Sequence, residues 1–364
     1  MDHFDIVIVG GGIAGSSLGA ALGGQRSVLL LEAEDQCGAH STGRSAAFWH
    51  EGYGGAGVAP LTRASRFALE SPPPDLAGQS FLTPRGAIHI SRTGDDFEIV
   101  RGIETHSVDR AELELLVPGL RPEWRHGLVE PGLADIDVAA LHAAYLGQIR
   151  RSGGTIRTRA RFSHAERRGE NWVVMIEGGS TLSAGMIVDA AGAWADSVAV
   201  ACGVAPIGIA PMRRTMVQLR VGRSGISRLP LIVDAASQFY FKGEGDSSIW
   251  LSPHDEIASD PCDAAPEEID IAIAIDRFEQ AVDWPVERVE RSWAGLRSFS
   301  PDRLPVYGFD PAAEGFFWCA GQGGFGIQTA PAGAAICAAL LLGEPFEAFV
   351  AEIDATPYDP ARFC

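Results

Sequence analysis

The stretch Val7-Ile-Val-Gly10-Gly-Gly12-Ile-Ala-Gly15 constrains this chain more than any other, because an apolar strand there runs straight into a Gly-x-Gly-x-x-Gly turn and a helix of small residues. In such a turn the first glycine permits the tight bend and the second lets a pyrophosphate approach the backbone. The third lets the helix sit close to its strand, and the phosphates rest on the helix N-terminus. Three readings compete: NAD(P), FAD, or a packing turn with no ligand. The next apolar run, Ser27 to Glu32, reads as a second parallel strand ending in an acid, and the offset of 32 − 10 = 22 residues is close to the spacing of about 20 at which a carboxylate bonds a ribose hydroxyl. A carboxylate there repels a 2′-phosphate. The unit therefore predicts an adenine dinucleotide other than NADP and leaves NAD and FAD open.

A chain of 364 residues exceeds the usual single domain of about 100 to 200 residues, so two domains are expected. The net charge of −18, with no basic run to reverse it locally, argues against nucleic acid or an anionic membrane as a partner. The first strand begins almost at Met1 without a basic n-region, and the longest apolar helix candidate, Ala332 to Leu342, is too short to span a bilayer. A soluble cytoplasmic protein with no stable membrane insertion is expected. The cysteines at 37, 202, 262, 319, 337 and 364 form no C-x-x-C pair and show no metal-ligand spacing, so no metal is expected.

Beyond residue 80 the chain does not simply repeat βα units. Ala87 to Ser91 reads as a strand and Asp109 to Val117 as an acidic helix. Asp135 and Asp137 precede a helix with Val138, Leu141, Tyr145 and Ile149 on one face, ending at Gly153-Gly154. Three strand-like segments follow, Thr155 to Phe162, Asn171 to Glu177 and Gly185 to Asp189, and the last stops at small residues before Trp194. A second glycine-rich strand-to-helix junction, Gly315-Phe-Phe-Trp-Cys-Ala-Gly321 into Gln322-Gly-Gly-Phe-Gly326, comes more than 300 residues after the first. Two such junctions suit a long cofactor lying extended.

His40-Ser-Thr-Gly-Arg-Ser-Ala-Ala47, Asp189-Ala-Ala-Gly-Ala-Trp194, Trp293-Ala-Gly-Leu-Arg-Ser-Phe299, Pro301 to Gly308 and Gly321 to Thr329 together resemble the D-amino acid oxidase superfamily of FAD enzymes. Within it the motifs are most similar to those of the D-arginine dehydrogenases, and the likeness runs nearly end to end. It implies an α/β fold: a two-dinucleotide-type Rossmann FAD-binding domain (1–80, 135–205 and 300–364) with a β-sheet-based substrate domain (81–134 and 206–299). Non-covalent FAD is implied, cradled by Gly10, Gly12, Ile13, Ala14 and Gly15, with Glu32 on the adenosine ribose beside Ala33. The loop Ser41, Thr42, Gly43, Arg44, Ser45 and Ala46 is implied to lie over pyrophosphate and flavin, with Ala191, Gly192 and Trp194 at the second approach. Gly323, Gly324, Gly326, Ile327, Gln328 and Thr329 fall at the pyrimidine end of the flavin.

On the substrate side, Arg213 to Val221 alternates as a strand that puts Arg214, Met216, Gln218 and Arg220 on one face. In isolation these arginines read as solvated or stacked strand residues. The resemblance implies that Arg214 and Arg297 grip a substrate carboxylate, with Arg213 the alternative if the register slips by one, and that Tyr53 and Tyr240 bond or wall in the amino acid. The chain also departs from the pattern. Phe48 stands where the relatives have His, with His50 two residues on, and Ala87 stands where they have a Glu that reads a guanidinium. The implied pocket includes Phe48, His50 and Ala87, and Phe48, Trp49 and Ala87 make it roomier and more apolar than one built for D-arginine. The implied reaction is hydride transfer from the Cα of a D-amino acid to flavin N5, giving an imino acid and then a 2-oxo acid and ammonia. A quinone or other acceptor then reoxidises the flavin. A secondary-amine oxidoreductase of the sarcosine or glycine oxidase kind, and a flavin subunit that needs partner chains, remain as alternatives.

Overall fold

Ile6 to Val9 are all buried, as a strand covered on both faces requires, and in the computed structural model, which describes residues 1–97 and 102–364, Asp2–Val9 runs parallel between Thr181–Asp189 and Val28–Leu31. Its side chains alternate between two cores. Ile6 and Ile8 pack with Leu18 and Ile336 of the helices Ile13–Ala21 and Ala330–Leu342, whereas Val7 and Val9 pack with Ala195 and Val198 on the other face. The sheet has eight strands. From Asp2–Val9 it continues through Val28–Leu31 to Thr155–Arg157 on one side and through Thr181–Asp189 to an antiparallel meander on the other. Phe316–Ala320 also joins Thr181–Asp189 in parallel, at Ile187 to Asp189, and carries Val306–Phe309 beyond it.

The expected strand from Thr155 to Phe162 is two strands, Thr155–Arg157 and Phe162–Arg168, with Arg159 left-handed between them (φ 52). The break arises because the backbone keeps bonding past the strand end: Arg159 N donates to Glu34 O and Ala160 N to Glu32 O. The helix Val138–Arg151 begins at Asp137, whose carboxylate accepts the Ala140 amide at 2.9 Å, and it buries Leu141, His142, Tyr145 and Ile149. Asp135 turns instead to Arg85 and Lys242.

A second sheet of ten strands is built around the antiparallel pair Ala210–Val221 and Val286–Phe299, in the register Met212 to Arg297 and Arg214 to Gly295. The helix Glu268–Glu279 covers the face that carries Val217, Leu219 and Val221. The opposite face presents Arg214 and Met216, so the period of two predicted from the sequence holds. The short strand Gln322–Gly323 pairs with Ser298 and Phe299, which brings the C-terminal glycine turn onto this second sheet. A small third sheet joins Phe48–Trp49, Leu82–Pro84 and Ala134–Ile136. Among the described residues no helix is long and apolar enough to cross a membrane.

Candidate active site

Between the two large sheets lies a cavity of about 480 Å³ whose walls run from the glycine turn and Glu32 to Arg214 and Arg297. At one end, Gly10 has φ +110, and a Cβ on it would lie 2.4 Å from the carbonyl oxygen of Ala190. Only glycine lets these two strand ends approach so closely. Glu32 accepts the Gly11 amide at 3.0 Å on one oxygen and the Glu34 amide at 2.9 Å on the other, so its carboxylate is fixed in the cavity wall with lone pairs to spare. No acid stands in the first turn of Ile13–Ala21, and Thr42 Oγ1 accepts the Ile13 amide at 2.9 Å. These features fit an anionic dinucleotide: a helix with no acid of its own in the first turn, glycine backbone in the wall and a held acid.

Most of the residues the sequence singled out for a cofactor border this cavity; Gly15, Gly43 and Thr329 do not. A Cβ on Gly15 would lie 2.1 Å from Gly10 O, so its part is to let helix and strand pack. The Gly43 amide donates to Gly38 O, and the buried Thr329 hydroxyl donates to Phe325 O; both close local turns. Arg44 does border it, yet its guanidinium ties the loop to the second sheet through Ala264 O (2.9 Å), Ala294 O (3.1 Å) and Asp263. Gln328 accepts the His50 amide at 3.1 Å and donates to Thr62 Oγ1 at 2.9 Å. His142, which the sequence did not flag beyond its helix, donates from Nε2 to Gly11 O at 2.9 Å beneath the turn, and burial pushes its pKa down.

At the other end Arg214, Arg297, Tyr53 and Tyr240 come together, with Phe48 and His50 beside them. Arg297 Nη1 donates to the Tyr53 hydroxyl at 2.9 Å and Nη2 to Glu256 at 2.6 Å, while its buried Nε has no partner among the described residues. Arg214 Nε donates to Asp255 O at 2.6 Å. Arg213 points the other way, to Glu267 and Asp270, so the alternative register is not adopted. The Tyr240 hydroxyl donates to Met216 Sδ at 3.2 Å. Ala87 corrects the sequence reading. It is fully buried against Leu133 and Leu231, and Leu231 and Val233 border the cavity in its place.

His254 borders the cavity although nothing local in the sequence points to it. Its Nδ1 donates to Ser237 O at 2.9 Å, which leaves Nε2 as an acceptor, and the residue holds a left-handed backbone (φ 55) that non-glycine residues rarely adopt. Burial, reinforced by Arg214 and Arg297, pushes its pKa from 6.5 to about 4. The unfolded chain therefore takes up this proton at higher pH than the folded one. The resulting cost to the fold is absent above pH 6.5, grows as pH falls toward 4 and reaches at most about 3 kcal/mol. His254→Asn, which tolerates the same backbone, is expected to lose less thermal stability than wild type across that interval. Parallel melting curves would show the imidazole to be ordinary and solvated.

A family model described as FAD dependent oxidoreductase (DAO) matches residues 5–340 of the chain. A curated relative, FAD-dependent oxidoreductase domain-containing protein 1 of Xenopus laevis, is 24% identical over 183 residues, covering 44% of this chain and 36% of the relative. The chain thus spans about a third of that relative's length. Among solved structures, glycine oxidase from Geobacillus kaustophilus superposes with a TM-score of 0.83 at 19% identity, covering 100% of this chain and 99% of that one. L-proline dehydrogenase from P. horikoshii gives 0.83 at 19% identity, covering 100% and 98%. At such identities the likeness concerns the fold.

Proposed function

Because the chain belongs to the DAO family of FAD-dependent oxidoreductases, we propose that it oxidises a D-amino acid to the imino acid, which water converts to a 2-oxo acid and ammonia. The observation that carries this reading is the pair Arg214 and Arg297, on one face of one sheet, in the same cavity as Glu32 and the glycine turn. A planar guanidinium fits a carboxylate in a two-point geometry, and Arg297 keeps a buried N–H without a partner among the described residues. Bound FAD supplies the hydride acceptor. The two arginines and the Tyr53 hydroxyl then hold the carboxylate, and Phe48, Met216, Leu231, Val233 and Tyr240 enclose the side chain and exclude water. Neutral His254 offers Nε2 as an acceptor for an N–H of the substrate amine and adds no positive charge beside the clamp.

These walls favour an apolar side chain over the guanidinium of D-arginine. Glu130, behind His50 and outside this cavity, is already engaged by His50 and His89, and Asp255 lies beside Arg214. FAD would be held without a covalent bond, since Cys319, the cysteine nearest the C-terminal glycine turn in sequence, lies buried in the strand Phe316–Ala320 with its Sγ 3.9 Å from Cys337 Sγ. With FAD bound, a quinone or other acceptor would take the electrons onward. A secondary-amine substrate would use the same clamp, and turnover separates the two readings. With an artificial quinone acceptor, D-leucine and D-phenylalanine are expected to yield 2-oxo acid and ammonia. Turnover of sarcosine without turnover of the D-amino acids would transfer the protein to the secondary-amine class.

A further inference from the structure

A second cavity of about 150 Å³ shares His50 and Val233 with the main one, and it is bordered by His89, Glu130, Asp96 and Asp234. His50 Nε2 lies 3.0 Å and His89 Nε2 3.4 Å from the same Glu130 oxygen, and all three groups offer donor atoms within 4.8 Å of one another. Glu130 is 4% exposed. Burial alone would raise its carboxyl, but the hydrogen bonds from His50 and His89 outweigh it and hold the pKa at about 2. The three residues come from three separate segments, and the register explains their meeting. Ala87–Ser91 pairs with His126–Glu130 so that Ala87 faces Glu130 and His89 faces Leu128, which puts the carboxylate and the His89 imidazole on one face of the sheet. His50 then approaches that face from the loop after Phe48–Trp49.

The geometry points to a binding site for a divalent transition metal of the zinc class, with His50, His89 and Glu130 as its protein ligands. Two imidazoles and one carboxylate are a donor set that zinc takes, with a water in the fourth position. The separations of 3.0 and 3.4 Å match the tetrahedral edge of about 3.3 Å that follows from metal–ligand bonds of about 2.0 to 2.1 Å. The second cavity provides room for that water, and Asp96 and Asp234 add negative charge beside it. The site is coupled to the main cavity, because the His50 ring stacks on Tyr53 (centroids 6.2 Å apart, interplanar angle 9°) and Tyr53 holds Arg297. A metal that fixes the His50 ring therefore changes substrate affinity through Tyr53 and the clamp.

Titrating Zn²⁺ into chelator-treated, FAD-loaded protein is expected to show one equivalent bound per chain in the low-micromolar range or tighter. His89→Ala and Glu130→Gln are each expected to weaken that binding at least ~30-fold. Co²⁺ in place of Zn²⁺ should give tetrahedral absorption bands to the red of the flavin, and these bands should be missing in His89→Ala. Zn²⁺ should also shift KM for the amino acid in wild type and leave it unmoved in His89→Ala. The binding readouts do not depend on the substrate assignment. Absence of stoichiometric binding, or equal binding by wild type and His89→Ala, would reduce the three residues to a hydrogen-bonded cluster without a metal role.

Discussion

Replacing Arg297 with methionine is expected to lower kcat/KM for the amino acid by ~30- to ~900-fold while FAD stays bound. That range corresponds to about 2–4 kcal/mol for removing one partner of a desolvated, hydrogen-bonded charge pair. Arg297 sits in the wall of the cavity with one N–H on Tyr53, one on Glu256 and a buried Nε unpaired among the described residues, so its loss strips the carboxylate of one of two cationic contacts. Glu256 keeps Arg303 at 2.9 Å, so its own charge is not stranded by the substitution. Arg297→Lys should fall between the two, because an ammonium retains the charge but cannot reproduce the planar fork. Steady-state kinetics beside the visible flavin spectrum separate a lost clamp from a lost cofactor. Wild-type kinetics in a yellow Arg297→Met protein would leave Arg297 as a partner of Glu256 alone.

Gly10→Val is expected to yield a chain that cannot hold FAD. The backbone at Gly10 has φ +110, and its Cβ would lie 2.4 Å from Ala190 O and 2.8 Å from Ala190 C, both main-chain atoms with no rotamer to yield. Strain of about 1–3 kcal/mol for a side chain in this region adds to the clash, so FAD affinity should fall at least ~100-fold. Gly132→Ala serves as a control, since a Cβ there meets nothing within 4 Å. The measurement is flavin content per chain after purification and again after FAD is added back. A Gly10→Val protein that purifies yellow at full stoichiometry would mean that the glycine turn serves packing alone.

What the sequence revealed and what it concealed divide along contact range. The strand, glycine turn, helix and terminal acid lie within some thirty residues, and each has a local reason, so the cofactor end could be read directly. Arg214 could be placed on its face because strand side chains alternate. Ala87 could not be placed. Ala87 to Ser91 reads as a strand from its residues, but Leu133 and Leu231, which cover Ala87, arrive from distant segments. His254 stands in a Ser-Pro-His-Asp-Glu turn that resembles any polar loop, and only the fold shows that its ring borders the same cavity as both arginines. His89 and Glu130 meet through strand pairing between segments about forty residues apart, a distance over which no ligand spacing is recognisable. The expected strand from Thr155 to Phe162 failed for a related reason: its break is set by bonds to Glu32 and Glu34, far off in the chain.

We expect this chain alone to bind FAD and to take a hydride from a D-amino acid held by Arg214 and Arg297. Anaerobic mixing of the purified, FAD-loaded protein with matched D- and L-enantiomers of leucine, phenylalanine and arginine, together with sarcosine and glycine, tests cofactor, stereochemistry and autonomy at once. The flavin's visible absorbance is expected to bleach with the apolar D-amino acids, more slowly with D-arginine, and not with the L-enantiomers. A flavin that no member of the panel reduces, or that only the L-enantiomers reduce, would contradict it.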